Sequence, residues 1–308
     1  MIRFLKNSLI LSAPFVFWVI FVVVIDPFNY FGFSNAISGE VKEQNSGRLN
    51  TLLYRTISFK RYPTANILIG DSRTDLLPVS ELERITGKHF GKLTNNAAKL
   101  NEIFELFYFA NSYHKLETVV IGINFNMFNE YGYADRVKDI KEIISFPPRY
   151  VFSTSVAEAC YFVLRAQIIG KDISDVPPMT REEFWKWNIE EKATHWYGKY
   201  KYPNELYAQM RKLDDFAIRN DINLIFIVVP HHREFHDRLI EFGLLNEELK
   251  FKEYLSSLNA KVIDYDFENE ITIDKENFTD PVHYQESIGR LMVNEIWGNK
   301  ILIGKPLN

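Results

Sequence analysis

Residues 67–74 read Ile-Leu-Ile-Gly-Asp-Ser-Arg-Thr. Three apolar residues run straight into a glycine and polar residues that open a helix, the signature of a buried strand at its carboxyl end. The run is too short for a helix, and continuous apolarity means burial on both faces. Apolar runs recur at 118–123 and at 223–229, the latter Asn-Leu-Ile-Phe-Ile-Val-Val, with weaker ones at 89–95 and 260–265. Helices are expected between and after them, over 100–113, 203–220, 246–258 and 285–297. Strands alternating with helices predict an α/β fold, a doubly wound parallel sheet of about five strands joined by right-handed crossovers.

The amino terminus follows another rule. Residues 9–25 carry no charge and are almost wholly apolar, and Arg3 and Lys6 precede them. As a helix the stretch is roughly 26 Å long, close to the hydrocarbon thickness of a bilayer. Pro14 lies inside it, which a membrane helix tolerates better than a soluble one. Its end, Val-Val-Val-Ile-Asp-Pro, lacks the Ala-x-Ala pattern of a cleavable signal. An uncleaved anchor is therefore expected over a cleaved signal peptide or a buried helix. The positive flank puts the amino terminus in the cytoplasm and the rest outside. Phe28, Tyr30, Phe31 and Phe33 suit the membrane interface. The expected organisation is a cytoplasmic stub at 1–8, a transmembrane anchor at 9–27, a linker at 28–63, one α/β domain at 64–298 and a tail at 299–308.

One stretch of that domain breaks the rhythm. Residues 127–202 separate the third and fourth strands by far more than a crossover helix needs. They include Phe-Pro-Pro-Arg-Tyr at 146–150, Val-Pro-Pro-Met at 176–179 and a run rich in Trp and Tyr from 184 to 202. Such a segment is too aromatic for disorder and is expected to hold helices, one over 156–169. It is read as a large aromatic-rich insertion, either a lid or acceptor-binding wall, or extra core or a surface against a membrane or partner. The formal net charge of -4, without a basic run, argues against a nucleic-acid partner. The single cysteine, Cys160, excludes an intramolecular disulfide and a multi-cysteine metal site.

Ser72 stands where open α/β sheets hold ligands, outside the carboxyl end of a strand. Alone it is equally a helix cap, as is Asp71. Three further segments are expected at the same edge. Thr94-Asn95-Asn96-Ala97-Ala98 closes the second strand and offers backbone N–H groups. Gly122-Ile123-Asn124 closes the third; an amide there can donate to a developing oxyanion, though alone it is as good a turn residue. Asp280-Pro281-Val282-His283 precedes the last helix. A histidine can take the serine proton, and a carboxylate three residues earlier can hold its other ring nitrogen.

In this order the segments resemble the SGNH (GDSL-type) hydrolase superfamily. Gly70-Asp71-Ser72 and Asp280-Pro281-Val282-His283 match its first and last blocks cleanly. Asn96-Ala97-Ala98 lacks the usual glycine of the second block, and Gly122-Ile123-Asn124-Phe125 has Phe125 where an aspartate is usual. The resemblance covers residues 64–126 and 222–298. It implies a flavodoxin-like sheet and acyl transfer through an acyl-serine. Ser72 would be the nucleophile, His283 the general base and Asp280 its orienting carboxylate. The Ser72 N–H, a backbone N–H at Ala97 or Ala98 and the Asn124 amide would form the oxyanion hole. No cofactor is implied. Arg73, Asn96, His231 and His232 are expected to touch substrate. His231 and His232, just after the fourth strand, are equally surface loop histidines, and with Glu234 a zinc site is the remaining reading.

In architecture the chain is similar to membrane-anchored accessory O-acyltransferases of cell-envelope polymers, of the alginate O-acetylation, peptidoglycan O-acetylation and teichoic-acid D-alanylation types. That similarity implies a multi-pass membrane-bound O-acyltransferase as partner and a polysaccharide or other glycan as acceptor. It also implies a single-pass protein of the bacterial cytoplasmic (inner) membrane with its α/β domain outside. The alternative is a catalytically silent assembly or glycan-binding partner of the same fold; a simple lipase or thioesterase is the third reading.

Overall fold

The computed structural model describes residues 1–173, 179–298 and 300–308; Val176 and the two prolines after it lie outside them. The strands are β1 (Asn66–Gly70), β2 (Phe90–Thr94), β3 (Thr118–Ile123), β4 (Asn223–Val228), β5 (Lys261–Asp264), β6 (Phe278–Asp280), β7 (His283–Tyr284) and β8 (Lys305–Pro306). The main sheet runs β2-β1-β3-β4-β5-β8, its first five strands parallel and β8 antiparallel at the edge. This is the flavodoxin-like strand order, whose direction of winding reverses between β1 and β3. β6 and β7 form a separate small antiparallel ribbon.

Every residue of β1 and β3 is buried, as their unbroken apolarity requires. On one face Leu68, Val120, Ile225, Ile227 and Ile263 pack with Leu82 of the helix Val79–Thr86 and Met292, Val293 and Ile296 of the helix Glu286–Trp297. On the helix Asn204–Arg219, buried Leu206, Met210, Leu213 and Ala217 recur every three or four residues, giving one apolar stripe. Its Phe216 meets Phe107 of the helix Leu100–Tyr113 edge-on at 5.9 Å. Buried Asp214 accepts the N–H groups of Asn259 and Ala260 and so fixes the chain entering β5.

The chain divides into two compact units, residues 1–61 with 136–177 and residues 62–135 with 178–308. The stretch read as one insertion at 127–202 is thus split, its middle belonging with the amino-terminal helices. The first unit holds the helices Ile2–Ile25, Thr51–Arg61, Arg136–Ser145 and Thr154–Ile169. Residues 6–25 of the first helix are long and apolar enough to cross a membrane, and most of that window is exposed. The expected linker is instead packed: Leu52, Leu53, Ile57 and Phe59 are core residues. Phe28, Tyr30 and Phe31 are drawn inward as well. Phe28 is buried, Tyr30 stacks on Tyr150 at 4.3 Å, and Phe31 meets that ring edge-on at 5.7 Å, leaving Phe33 as the exposed member of the four. The Asp26 carboxylate organises this turn by accepting the N–H groups of Tyr30, Phe31 and Gly32 and the Tyr150 hydroxyl.

Candidate active site

β1 ends at Gly70, and the chain turns through Asp71, Ser72 and Arg73 into the 3-10 turn Thr74–Leu76. The turn lies hard against the sheet. The fully buried Thr74 side chain fills the space that a Cβ would take at both Gly70 and Gly122, closer than real Cβ contacts come. Glycine on β1 and on β3 is thereby explained by one threonine.

The Ser72 Oγ lies 2.8 Å from His283 Nε2, and His283 Nδ1 lies 2.6 Å from Asp280 Oδ2. The other Asp280 oxygen accepts the N–H groups of Val282 (2.9 Å) and His283 (3.2 Å), which holds the carboxylate in place. Burial would raise the Asp280 pKa, but the bond from His283 outweighs it and keeps the carboxyl below its ordinary value. Two bonds tie the β6–β7 ribbon to its surroundings. The Tyr284 hydroxyl donates to the Arg73 carbonyl at 2.6 Å, and the His232 N–H donates to the Pro281 carbonyl at 2.9 Å. Ser72 is half-buried, and 24% of the His283 side chain is exposed, so a small substrate can reach both.

Arg73 points the other way. It is 1% exposed, bonds the Asp71 carboxylate through Nε and Nη2 (2.8 and 2.5 Å), reaches Asn126 Oδ1 (3.3 Å) and hydrogen-bonds His231 Nε2. His231 in turn bonds Asp266 Oδ2 through Nδ1 at 3.1 Å, while its N–H donates to Asp266 Oδ1. Burial raises the pKa of the Asp71 and Asp266 carboxyls, but Arg73 in the first case and His231 in the second hold them below the ordinary range. Burial also pushes the His231 pKa down. A guanidinium only donates, so His231 Nε2 must accept, and the ring is neutral with its proton on Nδ1.

These contacts correct several expectations. Arg73 and His231 are committed to a buried network, and His231 has no nitrogen left for zinc. His232 caps the helix Arg233–Glu241, its Nδ1 accepting the Glu234 N–H, and packs against Trp185 and Phe278. Asn124 is wholly buried, and its amide donates to the Val229 carbonyl (2.7 Å) and to Asp266 Oδ2 (3.1 Å). Both amide hydrogens are taken by acceptors of the neighbouring strand ends, so Asn124 is a brace and not an oxyanion donor. Asn96 and Ala97 are exposed at the edge next to β1. Ala97 has a φ of 50°, so the left-handed turn that usually carries glycine forms here around a methyl group.

Asp266, Asn126 and Lys192 were not singled out in the sequence. A carboxylate just past the end of β5 was a legible signal for Asp266. For Lys192 the signal was its place four residues before Trp196, a spacing that puts both on one helix face.

No family model matches the chain, and no curated protein does. Among solved structures it is similar to a protein of Streptococcus pneumonia described as a platelet activating factor (12% identity, 80% of this chain and 94% of that one, TM-score 0.42). It is also similar to a protein of Desulfitobacterium hafniense described as lipolytic and of the G-D-S-L family (12%, 75% and 96%, TM-score 0.36). A third is a Bacteroides fragilis protein described as an acylhydrolase (11%, 75% and 86%, TM-score 0.35). These likenesses are remote.

Proposed function

We infer that the chain is a serine-dependent acyl-ester hydrolase or O-acyltransferase. The observation that carries this reading is the single line of hydrogen bonds from Ser72 Oγ through His283 to Asp280. His283 Nε2 takes the Ser72 proton as Oγ attacks an ester carbonyl, and returns it to the departing alkoxide. Asp280 holds the Nδ1–H tautomer and stabilises the imidazolium that forms. The acyl-serine is then attacked by an acceptor hydroxyl or by water, whose proton goes to His283 and from there to Ser72 Oγ as the acyl–oxygen bond breaks. With Asn124 withdrawn, the oxyanion falls to backbone N–H groups, that of Ser72 and one from the turn at 94–98.

Within that class the favoured activity is transfer of a simple acyl group, most simply acetyl, to a hydroxyl of a cell-envelope polysaccharide, with a multi-pass membrane O-acyltransferase as donor-side partner. The spanning-length helix at the amino terminus and its positive flank support a membrane-anchored domain outside the cytoplasm. The half-buried indole of Trp196 beside Arg73 supports exclusion of water, which favours transfer over hydrolysis. A silent scaffold is the second reading, and the loss of Asn124 as a donor is the observation on its side.

A serine-reactive fluorophosphonate separates the two. The full-length chain in detergent is expected to label at Ser72, and the Ser72→Ala chain to lose both labelling and hydrolysis of 4-nitrophenyl acetate. A folded wild-type chain that does not label is a scaffold.

A further inference from the structure

Residues 181–197 form one helical rod with a single irregularity. The helix Arg181–Trp187 passes into a π-helical turn at Asn188–Lys192 and continues as Ala193–Tyr197. A π turn shifts the phase of every residue after it and re-aims their side chains. The rod is pinned to the site at both ends. At its start Arg181 donates to the carbonyls of Lys275 (2.8 Å) and Phe278 (3.0 Å), the latter two residues before Asp280. At its end the Trp196 ring lies 5.6 Å from the guanidinium of Arg73, the neighbour of Ser72, and meets Phe235 edge-on.

Lys192, one helical turn before Trp196, lies within electrostatic reach of Asp280, the carboxylate that holds His283. Its Nζ is 5.0 Å from the centre of the Trp196 ring, and among the described residues it makes no hydrogen bond or ion pair. The charged groups that face it are Asp280, Arg73 and Asp71. Both carboxylates are already engaged, Asp280 by His283 and Asp71 by Arg73. Burial pushes the Lys192 ammonium down to about 8, Asp280 opposing and Arg73 adding to the shift. A half-desolvated cation whose nearby carboxylates are bonded to other groups is costly to keep unless something else completes it.

We propose that Lys192 is the centre of an anion subsite beside Ser72, which holds a carboxylate or phosphate group of the substrate close to the reacting ester, with Trp196 as its apolar wall. The subsite takes its chemical meaning from the acyl-transfer reading above. It selects substrates whose donor or acceptor carries a negative oxyacid group near the acylated oxygen.

Two measurements on the full-length chain in detergent test it. The first compares kcat/KM for 4-carboxyphenyl acetate and 4-(phosphonooxy)phenyl acetate with that for neutral phenyl acetate. Lys192→Met is expected to lower the anionic-to-neutral ratio about ten- to a hundredfold, mostly through KM, and Lys192→Arg to keep it. In the wild type the ratio is expected to fall as the pH rises past about 8 and the ammonium loses its proton. The better of the two anionic esters tells carboxylate from phosphate. A wild-type ratio that survives Lys192→Met overturns the subsite. The second measures binding of benzoate and of inorganic phosphate to the Ser72→Ala chain by calorimetry, which needs no catalysis. Binding that disappears in the Ser72→Ala, Lys192→Met chain supports the subsite even if the wild type proves unreactive. An active enzyme that binds neither anion rejects the subsite alone.

Discussion

Two histidine–carboxylate pairs stand at the carboxyl edge of the sheet, and they are wired alike. His283 bonds Asp280 through Nδ1 and Ser72 through Nε2; His231 bonds Asp266 through Nδ1 and Arg73 through Nε2. Ser72 and Arg73 are consecutive, so one turn is served by both pairs, the outer one reached by solvent and the inner one buried. The third group sets them apart. A hydroxyl surrenders its proton to imidazole when it attacks, whereas a guanidinium keeps its protons throughout. The outer pair can therefore cycle a proton, and the inner one can only hold a position. A histidine on an aspartate is thus a weak marker of chemistry until its other nitrogen and its access to solvent are known.

The sharpest way to break this contrast is to blunt one carboxylate at a time. Asp280→Asn is expected to lower kcat/KM for 4-nitrophenyl acetate about ten-thousandfold, by disfavouring the tautomer that accepts from serine. Its melting temperature should fall only modestly, because Asn loses the stability of the depressed carboxyl but can still accept the Val282 and His283 N–H groups. A rate within tenfold of wild type would erase the distinction. Asp266→Asn is expected to act on stability, costing about 1 to 3 kcal/mol in a urea titration, because an amide NH2 replaces an oxygen that accepts from His231 and Asn124 and leaves buried donors unpaired. Wild-type stability in that variant would mean that the inner pair holds nothing. The smallest effect lies in acid. Asp71, Asp266 and Asp280 are all held below their ordinary values in the folded chain. Their extra stability is complete above the unfolded carboxylate value of about 4 and is lost as the pH falls through the lower folded values. Melting temperatures taken from pH 5 downward should therefore decline, and less steeply in either Asp266→Asn or Asp280→Asn than in the wild type. A wild-type slope in both variants would deny that these carboxylates hold their charge in the folded chain.

Much of the sheet and half of the site could be read from local pattern. The five parallel strands and the helices at 100–113, 203–220, 246–258 and 285–297 carry their signal within single segments, and the structure has elements at each. Ser72, Asp280 and His283 were legible because each sits at the end of a recognisable strand or before a helix. The orientation of Asn124 lies beyond local pattern for a physical reason. It depends on Val229 and Asp266, acceptors 105 and 142 residues away in the chain, and no local pattern reports them. The inner network failed for the same reason, Arg73 and His231 being 158 residues apart. The split of the aromatic stretch was hidden because both of its parts are apolar, and composition does not say which core a helix joins. The π turn at Asn188–Lys192 is invisible in a 3.6-residue period, yet it helps to aim Lys192.

The threonine wedged between Gly70 and Gly122 has a consequence for how this chain can change. Three positions on three separate segments share one volume, so their substitutions are coupled. A methyl group added at either glycine meets the Thr74 side chain and drives out the turn that bears Ser72; Thr74→Ala removes the Oγ1 clash but leaves a Cβ 2.6 Å from a methyl at Gly70 and 3.0 Å from one at Gly122. Single steps out of this arrangement are blocked, and Gly122 is the position that a paired change at Thr74 eases. The address of Ser72 is in that sense written two residues downstream of it and on the neighbouring strand, in a side chain and an absent one that need never meet a substrate.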